Sequence, residues 1–177
     1  MSSAIKELET KVAAARAASR KLARLPTEVK DKALMNIAEN LALRRNEIMA
    51  ENQRDLAAAD EANMSAAMQD RLMLNTTRIA GIATDVQAVA ALPDPVGEVF
   101  DMRTMPNGLQ ISRRRVPLGV IATIYESRPN VTVDISTLCL KSGNAVILRG
   151  GKEAIHSNLA LADVVQKSAY EAGIPEG

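Results

Sequence analysis

Residues 118–124, Leu-Gly-Val-Ile-Ala-Thr-Ile, form a nearly continuous apolar run without a charged residue. Such a run is typical of a parallel β-strand that is buried on both faces. A helical segment follows it, then a second apolar run at 145–148 (Ala-Val-Ile-Leu) and a second helix from about Ser157, with Gly173 as its C-terminal stop. The order β-α-β-α is the repeating unit of a doubly wound α/β sheet.

Two strands alone cannot complete a sheet of this kind, because at least one broad edge stays unpaired and both faces stay half covered. Residues 174–177, Ile-Pro-Glu-Gly, form a turn at the point where another strand would normally begin. We therefore expect the chain to be the N-terminal part of a longer protein, with an incomplete Rossmann-like sheet.

The sequence upstream of residue 92 is rich in good helix formers, and its apolar residues recur at helical spacing. Helices are predicted over about 3–24, from Thr27, from about Arg45 to Asn63, around 65–72 and from 76 or 77 to 92. Ser2 or Ser3, Thr27, and Thr76 or Thr77 are the predicted N-caps of the first, second and last of these.

Pro93 and Pro95 interrupt the helical pattern, and the period then changes from 3.6 to 2. Strands are predicted over 99–102 and 109–116 around Asn107-Gly108, a strong hairpin signal. Arginines at 113–115 fall on both faces of the second strand, which indicates an arm and not a core sheet. The predicted organisation is a helical segment (1–92), a hairpin arm (93–116) and the start of a nucleotide-binding domain (117–177).

The composition of the 177 residues excludes several classes of protein. Aromatic residues make up 2%, too few for base-stacking platforms, and the net charge of +1 gives no field that favours nucleic acid or an acidic membrane. One cysteine and one histidine exclude a disulfide framework and make a metal cage improbable. No apolar run reaches the roughly 18–20 residues of a membrane span, and no signal-peptide core is present. We expect a cytoplasmic protein without nucleic-acid or membrane partners.

Two polar loops follow the two predicted strands, at the edge where open α/β sheets bind ligands. Residues 149–153, Arg-Gly-Gly-Lys-Glu, offer positive charge to a phosphate and glycines for close backbone approach. The alternative is an ordinary solvated turn. Residues 125–130, Tyr-Glu-Ser-Arg-Pro-Asn, hold a carboxylate, a hydroxyl, a guanidinium and an amide, but Ser127 or Asn130 could equally cap the next helix.

Three other features could suggest a chemical role, but each has a simpler structural interpretation. The spacing of Val131, Ile135, Leu138 and Cys139 places the thiol on the apolar face of a helix, where burial raises its pKa and suppresses reactivity. His156 is interpreted as a surface residue. The arginines at 113–115 are a weak nucleic-acid signal and more often form a solvated or interface face.

Several motifs together closely resemble the gamma-glutamyl phosphate reductase family, a branch of the aldehyde dehydrogenase superfamily. These are RVPLGVI at 115–121, YESRPNVT at 125–132, KSGNA at 141–145 and LRGGKE at 148–153, with DRL at 70–72, LPDPVG at 92–97 and PNG at 106–108 upstream. The resemblance covers essentially the whole chain and the N-terminal part of the family.

The resemblance implies reduction of L-glutamyl 5-phosphate with NADPH to L-glutamate 5-semialdehyde and phosphate, a step of proline biosynthesis, through a thioester on a cysteine. It implies that Glu126, Ser127, Arg128 and Asn130 line the active site. It also implies that Arg149, Gly150, Gly151 and Lys152 bind NADP.

The family's nucleophilic cysteine lies downstream of residue 177, so no catalytic residue is expected within this chain, and we expect the isolated chain to be inactive. The resemblance further implies a homo-oligomer formed through the hairpin arm and association with the upstream glutamate kinase. A non-catalytic helical binding module derived from the same family is the alternative.

Overall fold

The structure of the protein is a computed structural model that describes residues 3–177. Five helices come first: α1 (Ser3–Leu22), α2 (Thr27–Leu43), α3 (Arg45–Glu61), α4 (Ala66–Leu72) and α5 (Thr76–Ala91). A hairpin of β1 (Val99–Thr104) and β2 (Gln110–Arg114) follows. The remaining elements are β3 (Val120–Ile124), α6 (Asn130–Lys141), β4 (Ala145–Arg149), a 3₁₀ turn (Lys152–Ala154) and α7 (Ile155–Glu171). The predicted order of helices and strands is confirmed.

The predicted helix caps are wrong at two helices. Pro26 holds the N-cap position of α2 in extended conformation, so Thr27 is already helical and its hydroxyl donates instead to the Asp94 carboxylate at 2.8 Å. Asn75 caps α5 by accepting a hydrogen bond from the Arg78 backbone N–H at 2.8 Å, because its amide oxygen reaches the exposed donors of the first turn. The cap predicted at Ser2 or Ser3 lies outside the described residues and side chains.

The hairpin is confirmed, with antiparallel pairing from Val99 opposite Arg114 to Thr104 opposite Gln110. Gly108 has a φ of +85° in the turn, a conformation that favours glycine. The register is irregular between Phe100 and Arg103, where Asp101 also has a positive φ of 53°. Nearly every residue of both strands is exposed, so the hairpin projects from the body.

Strands β3 and β4 pair in parallel, with Val120 opposite Ala145 and Ile124 opposite Arg149. The prediction that both strands are buried on both faces is wrong: Ile124 is 78% exposed. Helix α1 packs mainly on β4, and α6 packs on β4 and on α5. No other strand pairs with β3 or β4 among residues 3–177. The carboxyl ends of the two strands therefore meet at one partly open edge.

The main hydrophobic core combines α2, α5, α6 and α7 and is continuous across residue 92. It is built from fully buried aliphatic side chains of both halves of the chain, among them Leu34, Ile37, Leu41, Val133, Leu161 and Val164. Because residues 27–91 share this core with residues 130–174, the helices at the N-terminus are not packed as a separate unit. In the part of the chain described, no helix has the length and apolar character needed to cross a membrane.

Candidate functional site

The two predicted polar loops lie side by side at the carboxyl edge of the β3–β4 pair. The Tyr125 backbone N–H extends the pairing by donating to the Arg149 carbonyl at 3.1 Å. Beyond it, the Ser127 backbone N–H and hydroxyl both donate to Glu153 Oε1, at 2.7 and 3.0 Å. The Glu153 carboxylate thus ties one loop to the other.

Glu153 keeps its charge in this position. Its pKa lies below the ordinary value because the carboxylate accepts hydrogen bonds, first from its own backbone N–H and then from Ser127, while burial opposes the shift. Ser127 has a φ of 49°, which costs energy in a residue other than glycine. The two hydrogen bonds to Glu153 hold Ser127 in this conformation.

The sequence left open that Ser127 or Asn130 caps α6, and neither residue does. Pro129 takes the N-cap position without a side-chain hydrogen bond. Asn130 lies in the first turn and donates from Nδ2 to Asp134 Oδ2 at 2.8 Å. Glu126 and Arg128 are exposed beside this turn.

The two glycines of the 149–153 loop make room for this chain's own side chains. A Cβ at Gly150 would overlap the Asn158 amide, and a Cβ at Gly151 would overlap the Glu153 carboxylate. Asn158 accepts a hydrogen bond at 3.0 Å from the Thr132 hydroxyl, which lies 2.6 Å from the Tyr125 hydroxyl. The two glycines therefore leave room for the Asn158 and Glu153 side chains.

Arg149 and Lys152 remain available to a ligand at this edge. Both are exposed, and Arg149 donates only to the neighbouring Gly150 carbonyl, at 3.2 Å. Within residues 3–177, neither side chain forms an ion pair with a carboxylate. A guanidinium and an ammonium three residues apart, beyond the end of a parallel strand, can bind the phosphate groups of a dinucleotide.

A buried polar network under the second loop was not predicted. Asp55 of α3 accepts hydrogen bonds from the backbone N–H groups of His156 and Ser157, at 3.1 and 2.7 Å, and from the Ser157 hydroxyl at 2.6 Å. Asn52 donates to Ser157 Oγ and to the Leu72 carbonyl, each at 2.9 Å. Asp55 therefore caps α7 from another helix and fixes the segment that follows the 149–153 loop.

The sequence held a signal for this network. Ile48, Asn52, Asp55 and Ala59 follow the helical repeat of one face of α3, and all four are buried. Two polar residues on an otherwise apolar face require partners, and Ser157 and the start of α7 supply them.

A cavity of about 350 Å³ beside the first loop was also missed. It lies between α4, α5 and the start of α6, and charged or polar residues line much of it: Asp70, Arg71, Arg78, Asp85, Arg128 and Asn130. Asp70 and Arg71 belong to the DRL motif at 70–72, to which the sequence assigns no role.

The prediction for Cys139 is confirmed: the thiol is buried, and burial raises its pKa. The prediction that Leu138 lies on the buried face of α6 is wrong, however, because Leu138 is exposed. The buried face of α6 includes Val133, Thr137 and Leu140. His156 is half-buried, with Nδ1 3.6 Å from a Glu51 carboxylate oxygen. Residues 3–177 contain no cluster of three or more potential metal ligands.

Comparisons with known proteins agree with this geometry. The model of the aldehyde dehydrogenase family matches residues 2–177. The chain is 57% identical over 176 residues to the gamma-glutamyl phosphate reductase of Dehalococcoides mccartyi, covering 99% of this chain and 42% of that protein. It thus spans less than half the length of the curated relatives it matches.

Two solved structures of proteins with that name have the same fold. The Thermotoga maritima protein superimposes with a TM-score of 0.92 at 44% identity, covering 96% of this chain and 41% of its own. The Saccharomyces cerevisiae protein gives a TM-score of 0.86 at 32% identity, covering 92% and 42%.

Proposed function

This chain belongs to the aldehyde dehydrogenase family, and from that premise we propose that the full-length protein reduces L-glutamyl 5-phosphate to L-glutamate 5-semialdehyde and phosphate, with NADPH. The observation that carries the proposal is the similarity, over 99% of the chain, to proteins named gamma-glutamyl phosphate reductase. The adjacent loops at 125–130 and 149–153 support it, because they offer an anion-binding surface at the ligand edge of the sheet. The reaction is a step of proline biosynthesis.

The loop at 149–153 is proposed to hold the cofactor, which supplies the hydride when bound. Arg149 and Lys152 are exposed cations without a carboxylate partner among the described residues, so each can bind phosphate oxygens of NADPH at little cost. Gly150 and Gly151 keep the loop in its conformation by admitting the Asn158 and Glu153 side chains.

The loop at 125–130 is proposed to line the substrate's reacting end. Glu126, Ser127, Arg128 and Asn130 lie at the strand end, and the exposed Arg128 guanidinium can neutralise an acyl phosphate. Because Glu153 fixes Ser127 in advance, the loop needs little reordering when substrate binds.

The proposed chemistry needs a thiolate, which displaces phosphate from the acyl carbon to form a thioester. Cys139 is the chain's one cysteine, and it is buried with a raised pKa. We therefore propose that residues 1–177 supply binding surfaces and that the nucleophile lies outside them, so that this segment alone does not turn over substrate.

The test measures phosphate-dependent oxidation of L-glutamate 5-semialdehyde with NADP⁺, and the forward reaction with glutamyl phosphate made by a glutamate kinase. Arg149→Ala should raise KM for NADPH by about tenfold, the loss of one charged hydrogen bond, with kcat little changed. Arg16→Ala, an exposed arginine on α1, is the matched control. An unchanged KM for NADPH would refute the cofactor assignment, and absence of turnover by the full-length wild-type protein would refute the function.

The hairpin arm is proposed to form a homo-oligomer. It exposes apolar side chains that a partner subunit could cover, including Met102, Leu109 and Val116 at 68%, 57% and 74%. Light scattering on a variant that lacks residues 99–114 should show a smaller assembly; an unchanged assembly would contradict the proposal. A cytoplasmic location and association with the glutamate kinase are proposed from the same resemblance.

A further inference from the structure

Glu153 belongs to one of the two loops at the edge of the sheet and holds the other. It lies in the 3₁₀ turn Lys152–Ala154. Its Oε1 atom accepts hydrogen bonds from the Ser127 backbone N–H at 2.7 Å and from the Ser127 hydroxyl at 3.0 Å. Ser127 has a φ of 49°, which is uncommon in residues other than glycine. A side chain of the 149–153 loop therefore maintains the backbone shape of the 125–130 loop.

Gly151 leaves room for the Glu153 carboxylate, and its own backbone does not call for glycine. It has a φ of −65° and a ψ of 152°, an extended conformation that any residue can adopt. The atoms nearest to a Cβ built at this position all belong to the Glu153 carboxylate, and the Cβ would overlap them. A methyl group at position 151 would thus displace the carboxylate from Ser127.

The buried side of the two loops is joined differently. The Tyr125 hydroxyl lies 2.6 Å from the Thr132 hydroxyl, which donates to Asn158 Oδ1 at 3.0 Å. Asn158 is 8% exposed, and its Nδ2 atom has no hydrogen-bond partner in the part of the chain described. Asn158 therefore forms no polar link to the second loop. Within that part of the chain, the side-chain hydrogen bonds between the two loops are those that Glu153 accepts.

A ligand on the second loop would act on the same turn. Lys152 is exposed and directly precedes Glu153 in the 3₁₀ turn. A phosphate group held by Lys152 restricts the segment from which the Glu153 carboxylate projects. The first loop then loses less conformational entropy when its own ligand binds, which couples the two sites without a large structural change.

We propose that Glu153 is a positioning residue: binding of cofactor phosphate by Arg149 and Lys152 restrains the Glu153 carboxylate, which in turn holds Ser127 and its loop in place for the substrate. The inference rests on the proposed function and names the residue that couples its two sites. Because such coupling is reciprocal, substrate on the first loop strengthens cofactor binding at the second by the same factor. Gly151 contributes by leaving the carboxylate free to reach Ser127.

Hydrogen exchange of the full-length protein, followed by mass spectrometry on the peptide that contains residues 125–130, tests the proposal without any turnover. Glu153→Ala should speed exchange of the Ser127 amide by about 10- to 100-fold, the loss of one charged hydrogen bond. Glu153→Gln, which keeps an acceptor oxygen, should restore most of the protection. Glu171→Ala is the matched control, because this glutamate is exposed at the end of α7. Unchanged exchange in Glu153→Ala would overturn the proposal.

A double-mutant cycle tests the part assigned to Gly151. Gly151→Ala should speed exchange of the Ser127 amide as Glu153→Ala does. Added to Glu153→Ala, it should have no further effect, because the side chain that it displaces is already absent. Wild-type exchange in Gly151→Ala, or additive effects in the double variant, would overturn this role.

Adenosine 2′,5′-bisphosphate tests the coupling, since it carries phosphate groups of the adenosine half of NADP but no nicotinamide. At saturation it should slow exchange of the Ser127 amide in the wild-type protein by at least about fivefold, the lower end of ordinary coupling between sites. In Glu153→Ala it should bind with little change in affinity, since Arg149 and Lys152 remain, but leave Ser127 exchange unaltered. Binding without slower exchange in the wild-type protein would overturn the coupling, and no binding would refute the cofactor assignment.

Kinetics separate positioning from a general loss of structure. Glu153→Ala should raise KM for L-glutamate 5-semialdehyde by about tenfold, the loss of one charged hydrogen bond, whereas its affinity for NADP⁺ alone should change little. Equal losses of both would indicate a structural role and overturn the proposal. A wild-type protein that shows the expected exchange but reduces no glutamyl phosphate would refute the proposed function and leave the coupling of the two loops supported.

Discussion

Two groups of charged and polar side chains lie close together in this molecule and serve opposite purposes. In the network of Asn52, Asp55 and Ser157, each side chain is buried and accepts or donates at least two hydrogen bonds to other parts of the chain. At the cavity, Arg71 and Asp85 are exposed and have no partner within residues 3–177. Buried polar groups with hydrogen-bond partners hold the helices together, whereas exposed polar groups without partners remain free to bind a ligand.

The largest loss of stability is expected at a second buried polar group, which tests the structural role of such groups most directly. Lys30 is 1% exposed, pairs with Asp94 and donates to the Lys141 carbonyl at 3.3 Å. Lys30→Ala leaves the Asp94 charge partly buried without a cation, so the free energy of unfolding should fall by about 3–5 kcal/mol. Urea denaturation measures this change. Lys32→Ala, at an exposed position of the same helix, should change stability little, and equal effects would contradict the assignment.

The network on α3 should give the next largest effect. Asp55→Ala removes the acceptor of three donors at the start of α7, so the free energy of unfolding should fall by about 2–3 kcal/mol. Asp60→Ala, exposed on the same helix, is the control. Thermal unfolding followed by circular dichroism compares the two variants, and a wild-type-like Asp55→Ala would show that α7 does not depend on this cap.

Acid should weaken the buried pair of Lys30 and Asp94. Burial raises the pKa of Asp94, but hydrogen bonds from Lys30, the Val96 N–H and Thr27 outweigh it, so the folded pKa lies below the ordinary value. The stabilisation is present above the unfolded pKa of about 3.9 and is lost as the pH falls through the folded pKa. Asp94→Asn should flatten the stability profile below about pH 4, and an unaltered profile would contradict this account.

The smallest change in stability is expected at the cavity. Arg71→Gln and Asp85→Asn should alter the free energy of unfolding by no more than about 0.5 kcal/mol, because neither side chain has a partner to lose among the described residues. Denaturant titration of both variants checks this expectation. A loss as large as that of Asp55→Ala would mean that the cavity residues are structural after all.

The helical segments, the hairpin at Asn107-Gly108 and the β-α-β-α order follow from local pattern, since periodicity and turn residues act over a few positions. The two loops that follow β3 and β4 were predicted to share an edge, and they do. The N-caps were predicted less well than the helices. Asn75 and Pro26 occupy the N-cap positions that were predicted for the neighbouring threonines. A cap depends on which residue lies where its side chain can reach the free N–H groups.

Which face of each helix or strand is buried depended on tertiary packing. Leu138 and Ile124 are apolar but exposed, whereas Thr137 and Lys141 are buried, because neighbouring helices and the Asp31 carboxylate, 2.5 Å from Lys141, decide what each position touches. The cavity could not be predicted either, since Arg71 and Arg128 come from distant parts of the chain.

The sequence by itself determined the types and order of the elements, the buried and unreactive character of Cys139 and the resemblance carried by the two loops, because these depend on short-range pattern and residue chemistry. Only the tertiary structure decided that Glu153 holds Ser127 across 26 residues, that Asp55 caps a helix 102 residues away and that the cavity joins free arginines to an aspartate. Such contacts form only when distant segments pack together, so the spacing of residues can mark Asp55 as buried but cannot identify its partner.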